Sequence, residues 1–231
     1  MATYPEIAEL KGGVLMPNDT SLALEDLQRD RDAEKAHLHE PLFRPFKQSS
    51  DPDSIFNVSL PMGNDWDTYA LGYKLAADNL VETMPSSPVF LRDALAYPIL
   101  FLYRHYFELR LKELLHESCD FLDMPADIPL KHDLMRLWSK VRPNVESILP
   151  SQHFKADNDA IQQRLAELSA LDPKSLSFRY PSDPVEKAHS VNMSHIKQVV
   201  QAMSDILDTF SAAISQYLDW KHETMTEPPM A

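Results

Sequence analysis

The chain contains little glycine and little cysteine, and each shortage excludes a class of protein. Its 231 residues include 4 glycines, and neither GxGxxG nor GxxxxGK occurs, so the two commonest phosphate-binding loops are absent. The single cysteine, Cys119, excludes an intramolecular disulfide. The first residues, MATYPEIAELKGG, lack the basic segment and apolar core of a signal peptide. We therefore expect a protein of the reducing cytoplasm.

Long apolar runs and positive charge are also lacking. Arg104 interrupts the longest apolar stretch, so no run reaches the roughly 18 residues of a membrane span, and we expect no membrane partner. Lys and Arg number 22 against 35 Asp and Glu, which gives a formal net charge of −13. Because such a chain as a whole repels phosphates, binding of RNA or a nucleotide requires a local basic patch.

Proline and helical periodicity, in contrast, are abundant. The 18 prolines fall mostly between segments whose apolar residues recur at helical spacing. The segment at 94–118, ALAYPILFLYRHYFELRLKELLHES, has so wide an apolar stripe that it predicts a helix covered on most sides. We predict an all-α bundle of about five helices in residues 65–222. An irregular N-terminal arm (1–64) precedes it, and a disordered tail (223–231) follows it.

The charged residues of the central helix are the first candidate site. Arg104 and Glu108, and Glu108 and Lys112, are four residues apart and can pair along one flank. Together with His105 these side chains either line a polar pocket or form a satisfied ion network, and the network is the favoured interpretation. We add Tyr180 and Asp183, from the proline-bearing loop at 174–190, to these candidate binding residues.

Four pieces of sequence stand in a characteristic order. They are RHYFELRLKELL at 104–115, HDL at 132–134 with LW at 137–138, LDP at 171–173 with FRYP at 178–181, and an amphipathic helix at about 192–220. Together they resemble HEPN-like proteins, a family of helical bundles found in prokaryotic toxins and defence systems. The resemblance covers roughly residues 65–220. It implies a bundle of four or five helices, often dimeric, which in active members is a metal-independent ribonuclease. We expect a homodimer or a protein partner, and no cofactor.

The chain departs from that family in its catalytic motif, an Arg and a His separated by four to six residues at the start of the last helix. Here nine residues separate Arg179 from His189, and His195 lies further on. The one literal match, Arg110 to His116, falls on the central helix. We therefore predict a binding or interaction module, in antiviral defence or a toxin–antitoxin system.

Two alternatives stay open. The first is a metal-independent ribonuclease with a rearranged site of Arg179, His189 and His195, in which a histidine acts as general base and the arginine binds phosphate. In the structural interpretation, Arg179 instead holds its loop by bonding carbonyls or a carboxylate, with Tyr180 packed beneath. The second alternative is an adaptor that docks through its Pro-rich segment at 41–61. The pair His37 and His39 offers too few ligands for a metal, so we expect no metal site.

Overall fold

The computed structural model describes residues 65–129, 132–149, 153–172, 175–181 and 191–226. The predicted arm at 1–64, with its histidine pair and Pro-rich segment, lies outside these residues. Five α-helices follow one another: α1 (Trp66–Thr83), α2 (Val89–Phe121), α3 (Leu134–Ile148), α4 (His153–Leu171) and α5 (Met193–Thr226). A short 3₁₀ turn, Met84–Ser86, separates the first two. Since these residues contain no strand, the all-α prediction is confirmed.

Two aspartates begin helices as N-caps. Asp65 accepts a hydrogen bond from the Thr68 amide at 3.1 Å before α1. Asp133 does the same for the Arg136 amide at 3.0 Å before α3. Each satisfies an amide that has no partner within its own helix, as a capping carboxylate does. The start of α3 is thereby fixed, and His132 is fixed beside it.

The central helix α2 is enclosed over most of its length, as its apolar stripe predicts. It packs against α1, α3 and α5. Ile99, Leu111 and Leu114 have no exposed surface. Pro98 lies inside α2 without ending the helix, although its ring removes one backbone donor. The first turns of α2 differ from the remainder, because Val89 and Phe90 are exposed.

The last helix, α5, is amphipathic and longer than predicted. Its buried side is lined by Val200, Met203, Leu207, Phe210 and Ile214. The helix continues to Thr226, so residues 223–226, which we assigned to the tail, are helical. Residues 227–231 lie outside the described part. Among the described residues, no helix combines the length and apolar character that a membrane crossing requires.

Candidate functional site

A buried carboxylate, Glu108, lies at the centre of the candidate site. Only 2% of Glu108 is exposed, and its carboxylate accepts a hydrogen bond from Lys112 Nζ at 2.7 Å. His132 Nδ1 lies 2.9 Å from both carboxylate oxygens, and His105 Nδ1 lies 3.9 Å from one of them. The predicted pairing of Glu108 with Lys112 is therefore present, and two imidazoles join it.

These partners decide the protonation state of Glu108. Burial alone raises the pKa of the carboxyl, but the hydrogen bonds from Lys112 and His132, with the nearby imidazole of His105, outweigh burial and lower the pKa to about 2. The group is therefore ionised at neutral pH. Because His132 turns Nδ1 towards this carboxylate, Nε2 lies on the far side of a ring that is 50% exposed. Glu108 thus fixes the orientation of an accessible imidazole.

Arg104 lies one turn before Glu108 and joins three segments. Its Nη2 donates to the His132 carbonyl at 2.7 Å, and its Nε donates to Ser175 Oγ at 3.2 Å. The Asp172 carboxylate lies 3.9 Å from Nε. The predicted Arg104–Glu108 pairing was wrong, since neither a hydrogen bond nor an ion pair joins these two side chains in the described residues. The physical reason is that α3 and the turn after α4 close over this part of α2 and supply Arg104 with other acceptors.

The turn at 175–181 positions Arg179 and Tyr180 near Arg104. Asp172 Oδ1 accepts from the amides of Leu176 and Ser177 at 2.8 and 3.0 Å, which fixes the start of the turn. Arg179 Nε donates to the Ser175 carbonyl at 2.8 Å, and Nη2 donates to the same oxygen. Arg179 thus holds its own turn, as the structural interpretation predicted. The side chain packed beneath is Phe178, however, and Tyr180 is 52% exposed.

Aromatic rings surround His105 and extend to Arg179. The Phe101 ring is stacked on the His105 ring, with centroids 5.9 Å apart and planes 6° from parallel. Tyr73 contacts His105 edge-on at 4.4 Å. The Arg179 guanidinium lies 5.7 Å from the centroid of Phe101 and 5.8 Å from that of Tyr180. These distances allow cation–π attraction, so the guanidinium belongs to an aromatic surface as well as to its turn.

The structure thus brings together most of the predicted site residues. We call the set around Glu108 the Glu108 cluster; its members are Arg104, His105, Glu108, Lys112, His132, Asp172, Arg179 and Tyr180. Asp183 and His189 lie outside the described residues. His195 lies in the first turn of α5, exposed, and within the described residues no hydrogen bond or ion pair joins it to Arg179. The proposed pairing of Arg179 with either histidine stays a prediction.

Sequence reasoning missed two members of this cluster. His132 was identified only within the HDL piece, whereas the structure makes it a partner of Glu108. Asp172 was identified only within the LDP piece, whereas it is fully buried beside Arg104. A signal for Asp172 existed, because a buried arginine requires a carboxylate or several carbonyls as partners.

A second ionic cluster on α2 excludes the literal Arg–His match as an active pair. Arg110 is buried, and its guanidinium bonds Glu113, Asp67 at 3.2 Å and Asp208 at 2.5 Å. Acids outnumber cations here, and burial raises the pKa of Glu113 to about 7, although Arg110 lowers it. His116 is exposed beside an acidic cavity of about 330 Å³ that is also lined by Glu113 and other acids. Because Arg110 is committed to three carboxylates, it is not available to a phosphate.

Neither the known family models, nor curated proteins, nor solved structures give a match to this chain. The fold and the site alone therefore define its class. It is an all-α bundle in which a buried, ionised carboxylate organises histidine, lysine and arginine side chains. Within the described ranges, no group of three His, Cys, Asp or Glu side chains has the arrangement of a metal site.

Proposed function

We propose that the chain is an HEPN-like helical binding module that binds RNA through the exposed members of the Glu108 cluster. One observation carries the proposal: a chain with a net charge of −13 gathers Arg179, Tyr180 and His132 on the outside of one cluster. Glu108 and Asp172, the acids of that cluster, are buried and already matched by Lys112 and Arg104. The outward side therefore presents a guanidinium, an imidazole and a phenol, with the exposed carboxylate of Asp133 next to the imidazole.

These three groups suit the chemistry of RNA. A guanidinium has five N–H donors in a plane, and Arg179 uses those of Nε and Nη2 on the Ser175 carbonyl, which leaves Nη1 to bond a phosphate. Tyr180 offers a ring face on which a base can stack. Imidazole Nε2 of His132 adds a polar contact at a position that Glu108 fixes. The proposal thus provides one permanent cation, Arg179, at the surface of an acidic chain.

The resemblance to HEPN-like proteins supports the biological setting of this proposal. The pieces at 104–115, 132–134 and 171–181 are distant in sequence, yet they meet in one cluster. From the resemblance we propose that the chain acts in the cytoplasm, in a prokaryotic defence or toxin–antitoxin system, as a homodimer or with a protein partner. The adaptor alternative rests on residues 41–61, outside the described part, and stays a prediction.

RNA binding is tested by fluorescence anisotropy with a 5′-fluorescein-labelled dodecauridylate. We expect Arg179→Ala to weaken binding by roughly 10- to 100-fold, because it removes a charge-assisted contact to phosphate. The matched control is Arg164→Ala, which removes a partly exposed arginine that pairs with Glu167 on α4. The proposal fails if the wild-type protein does not bind at low salt, or if Arg164→Ala weakens binding as much as Arg179→Ala.

One observation favours the ribonuclease as a second candidate. The Glu108–His132 pair has the arrangement that orients a general base, with a carboxylate on Nδ1 and Nε2 facing away. Cleavage of the same RNA in the presence of EDTA would support a metal-free enzyme. Loss of cleavage in His132→Ala, but not in His189→Ala or His195→Ala, would assign the base to the Glu108 cluster. Intact RNA after long incubation with wild-type protein would exclude this candidate.

A further inference from the structure

Three helices meet at Arg110, where one buried cation faces several carboxylates. Its guanidinium bonds Glu113 on α2, Asp67 in the first turn of α1 and Asp208 on α5. We call these four residues, together with Glu117, the Arg110 junction. Asp67 and Asp208 are largely exposed, whereas the side chain of Glu113 is 12% exposed. Among the three acids that bond Arg110, burial therefore penalises ionisation most at Glu113.

Glu117 places a second partly buried carboxyl beside Glu113. The two residues are one helical turn apart on α2 and line the same cavity of about 330 Å³. Glu117 accepts a hydrogen bond from the Ser211 hydroxyl of α5 at 2.8 Å. Because the charge of Arg110 is shared among several acids, one of these two neighbours retains a proton more readily than an isolated acid does. Burial raises the pKa of both carboxyls, and that of Glu113 reaches about 7.

The other charged groups around the cavity do not compensate this pair. Asp65 lies at the start of α1, and Asp120 lies one turn beyond His116 on α2. All three side chains belong to exposed residues. Each of these acids adds to the cost of ionising Glu113. Among the described residues that line the cavity, none is a lysine or an arginine.

We propose that the Arg110 junction is a proton switch: one proton held between Glu113 and Glu117 keeps α1 and α5 packed on α2, and its release to water above neutral pH loosens the start of α1. While the proton is bound, Arg110 bonds Asp67 and Asp208 and so joins the three helices. After release, the new carboxylate charge competes for the same guanidinium and repels Asp67. The contact between α1 and α2 then weakens.

Loss of this proton should make α1 open more readily as the pH rises. A carboxyl whose pKa is raised by folding contributes stability that is complete below the ordinary pKa and is lost as the pH rises towards the folded-state pKa. When opening returns the pKa of Glu113 from about 7 to the ordinary 4.5, the opening constant increases about tenfold between pH 6 and pH 8.

Hydrogen–deuterium exchange at pH 6 and pH 8, corrected for the chemical exchange rate at each pH, measures this change. We expect the protection factors of the α1 amides to fall about tenfold in the wild-type protein. Glu113→Gln, which keeps the shape of the side chain but cannot ionise, should show little difference between the two pH values. The matched control is Glu167→Gln, a change of a largely exposed acid on α4, and it should behave as the wild-type protein does.

Trp66 fluorescence identifies the group that titrates. Trp66 lines the cavity, so its emission should change with a midpoint close to pH 7, and Trp66→Phe should lack this transition. Glu117→Gln removes a neighbouring negative charge and should move the midpoint to lower pH. His116→Gln should leave the transition in place, because the histidine is not the group that holds the proton.

Three results would overturn the inference. Equal protection of α1 at pH 6 and pH 8 in the wild-type protein would mean that no proton is linked to its opening. An unchanged pH dependence in Glu113→Gln, or loss of the fluorescence transition in His116→Gln, would assign the proton to another group. An unshifted midpoint in Glu117→Gln would contradict the sharing of a proton even if Glu113→Gln did not fold. These measurements use no RNA, so their outcome is independent of the proposed function.

Discussion

The carboxylate of Glu108 stays ionised inside the bundle because Lys112, His132 and His105 offset the cost of its burial. Its pKa of about 2 lies below the ordinary value of 4.5. A carboxyl whose pKa is lowered by folding contributes stability that is complete above the ordinary pKa. That contribution is lost as the pH falls towards the folded-state pKa. Glu108 therefore links the architecture of the site to the acid stability of the fold.

The variant Glu108→Gln tests this link. A difference of 2 to 3 pKa units corresponds to about 3 kcal/mol, so we expect the free energy of unfolding at pH 7 to fall by about that amount. The decline of stability between pH 4.5 and pH 2 should also become shallower than in the wild-type protein. Urea unfolding at a series of pH values measures both effects.

The control for Glu108 is Glu167→Gln, which changes a largely exposed acid on α4. Surface substitutions of this kind alter stability by no more than about 0.5 kcal/mol. A Glu108→Gln protein as stable at pH 7 as this control would mean that the hydrogen bonds to Glu108 do not stabilise the fold.

Among the helices, Arg110 is the principal ionic connection. It extends from α2 and bonds Asp67 beside the start of α1, Glu113 on its own helix and Asp208 on α5. Because Arg110 and Glu113 are buried or nearly so, removing the cation leaves carboxylates with no compensating charge. Even with Arg110 present, the charge of Glu113 is only partly compensated, since burial raises the pKa of Glu113 to about 7.

We expect Arg110→Met to lower the free energy of unfolding at pH 8 by about 3–5 kcal/mol. The loss should shrink at pH 5, where the Glu113 carboxyl is protonated in the folded protein and no longer needs the guanidinium. Chemical denaturation at the two pH values measures this difference. Arg164→Met, which removes a partly exposed arginine, should cost little at either pH. An equal loss for Arg110→Met at pH 5 and pH 8 would show that Glu113 does not titrate in this range.

The helices could be predicted from the sequence because each depends on the spacing of apolar residues within one segment. Apolar residues at a period of 3.6, with prolines between the segments, predict about five helices in residues 65–222, and the last of them ends at Thr226 rather than at about residue 220. The pairing of Glu108 with Lys112 was predicted for the same reason, since the two residues are one turn apart on a single helix.

The rest of the site was not accessible, because its contacts join distant segments. Arg104 meets Asp172 and the carbonyl of His132 only after α3 and the 175–181 turn have packed on α2. Helical periodicity specifies which face of a helix is buried, but not which polar groups of other segments lie opposite. Tyr180 is another residue whose position helical periodicity does not specify. Asp172 fixes the turn, and in the turn as fixed Phe178 is buried and Tyr180 is exposed.

For the molecule as a whole, we expect net charge to determine how RNA binding responds to salt. A net charge of −13 opposes RNA, so binding at the Glu108 cluster depends on the phosphate contact of Arg179 and should weaken as salt is added. Each phosphate contact contributes a slope of about −0.7 in a plot of log affinity against log salt for a single strand. Arg179→Ala should reduce that slope by about one contact.

Photo-crosslinking with a dodecauridylate that contains 4-thiouridine, followed by mass spectrometry, would locate the bound RNA on the protein. We expect the crosslinked peptides to contain Tyr180 or Phe101, and to disappear in the Arg179→Ala protein. Crosslinks confined to another exposed aromatic such as Trp220, or no crosslinks at saturating RNA, would contradict RNA binding at the Glu108 cluster.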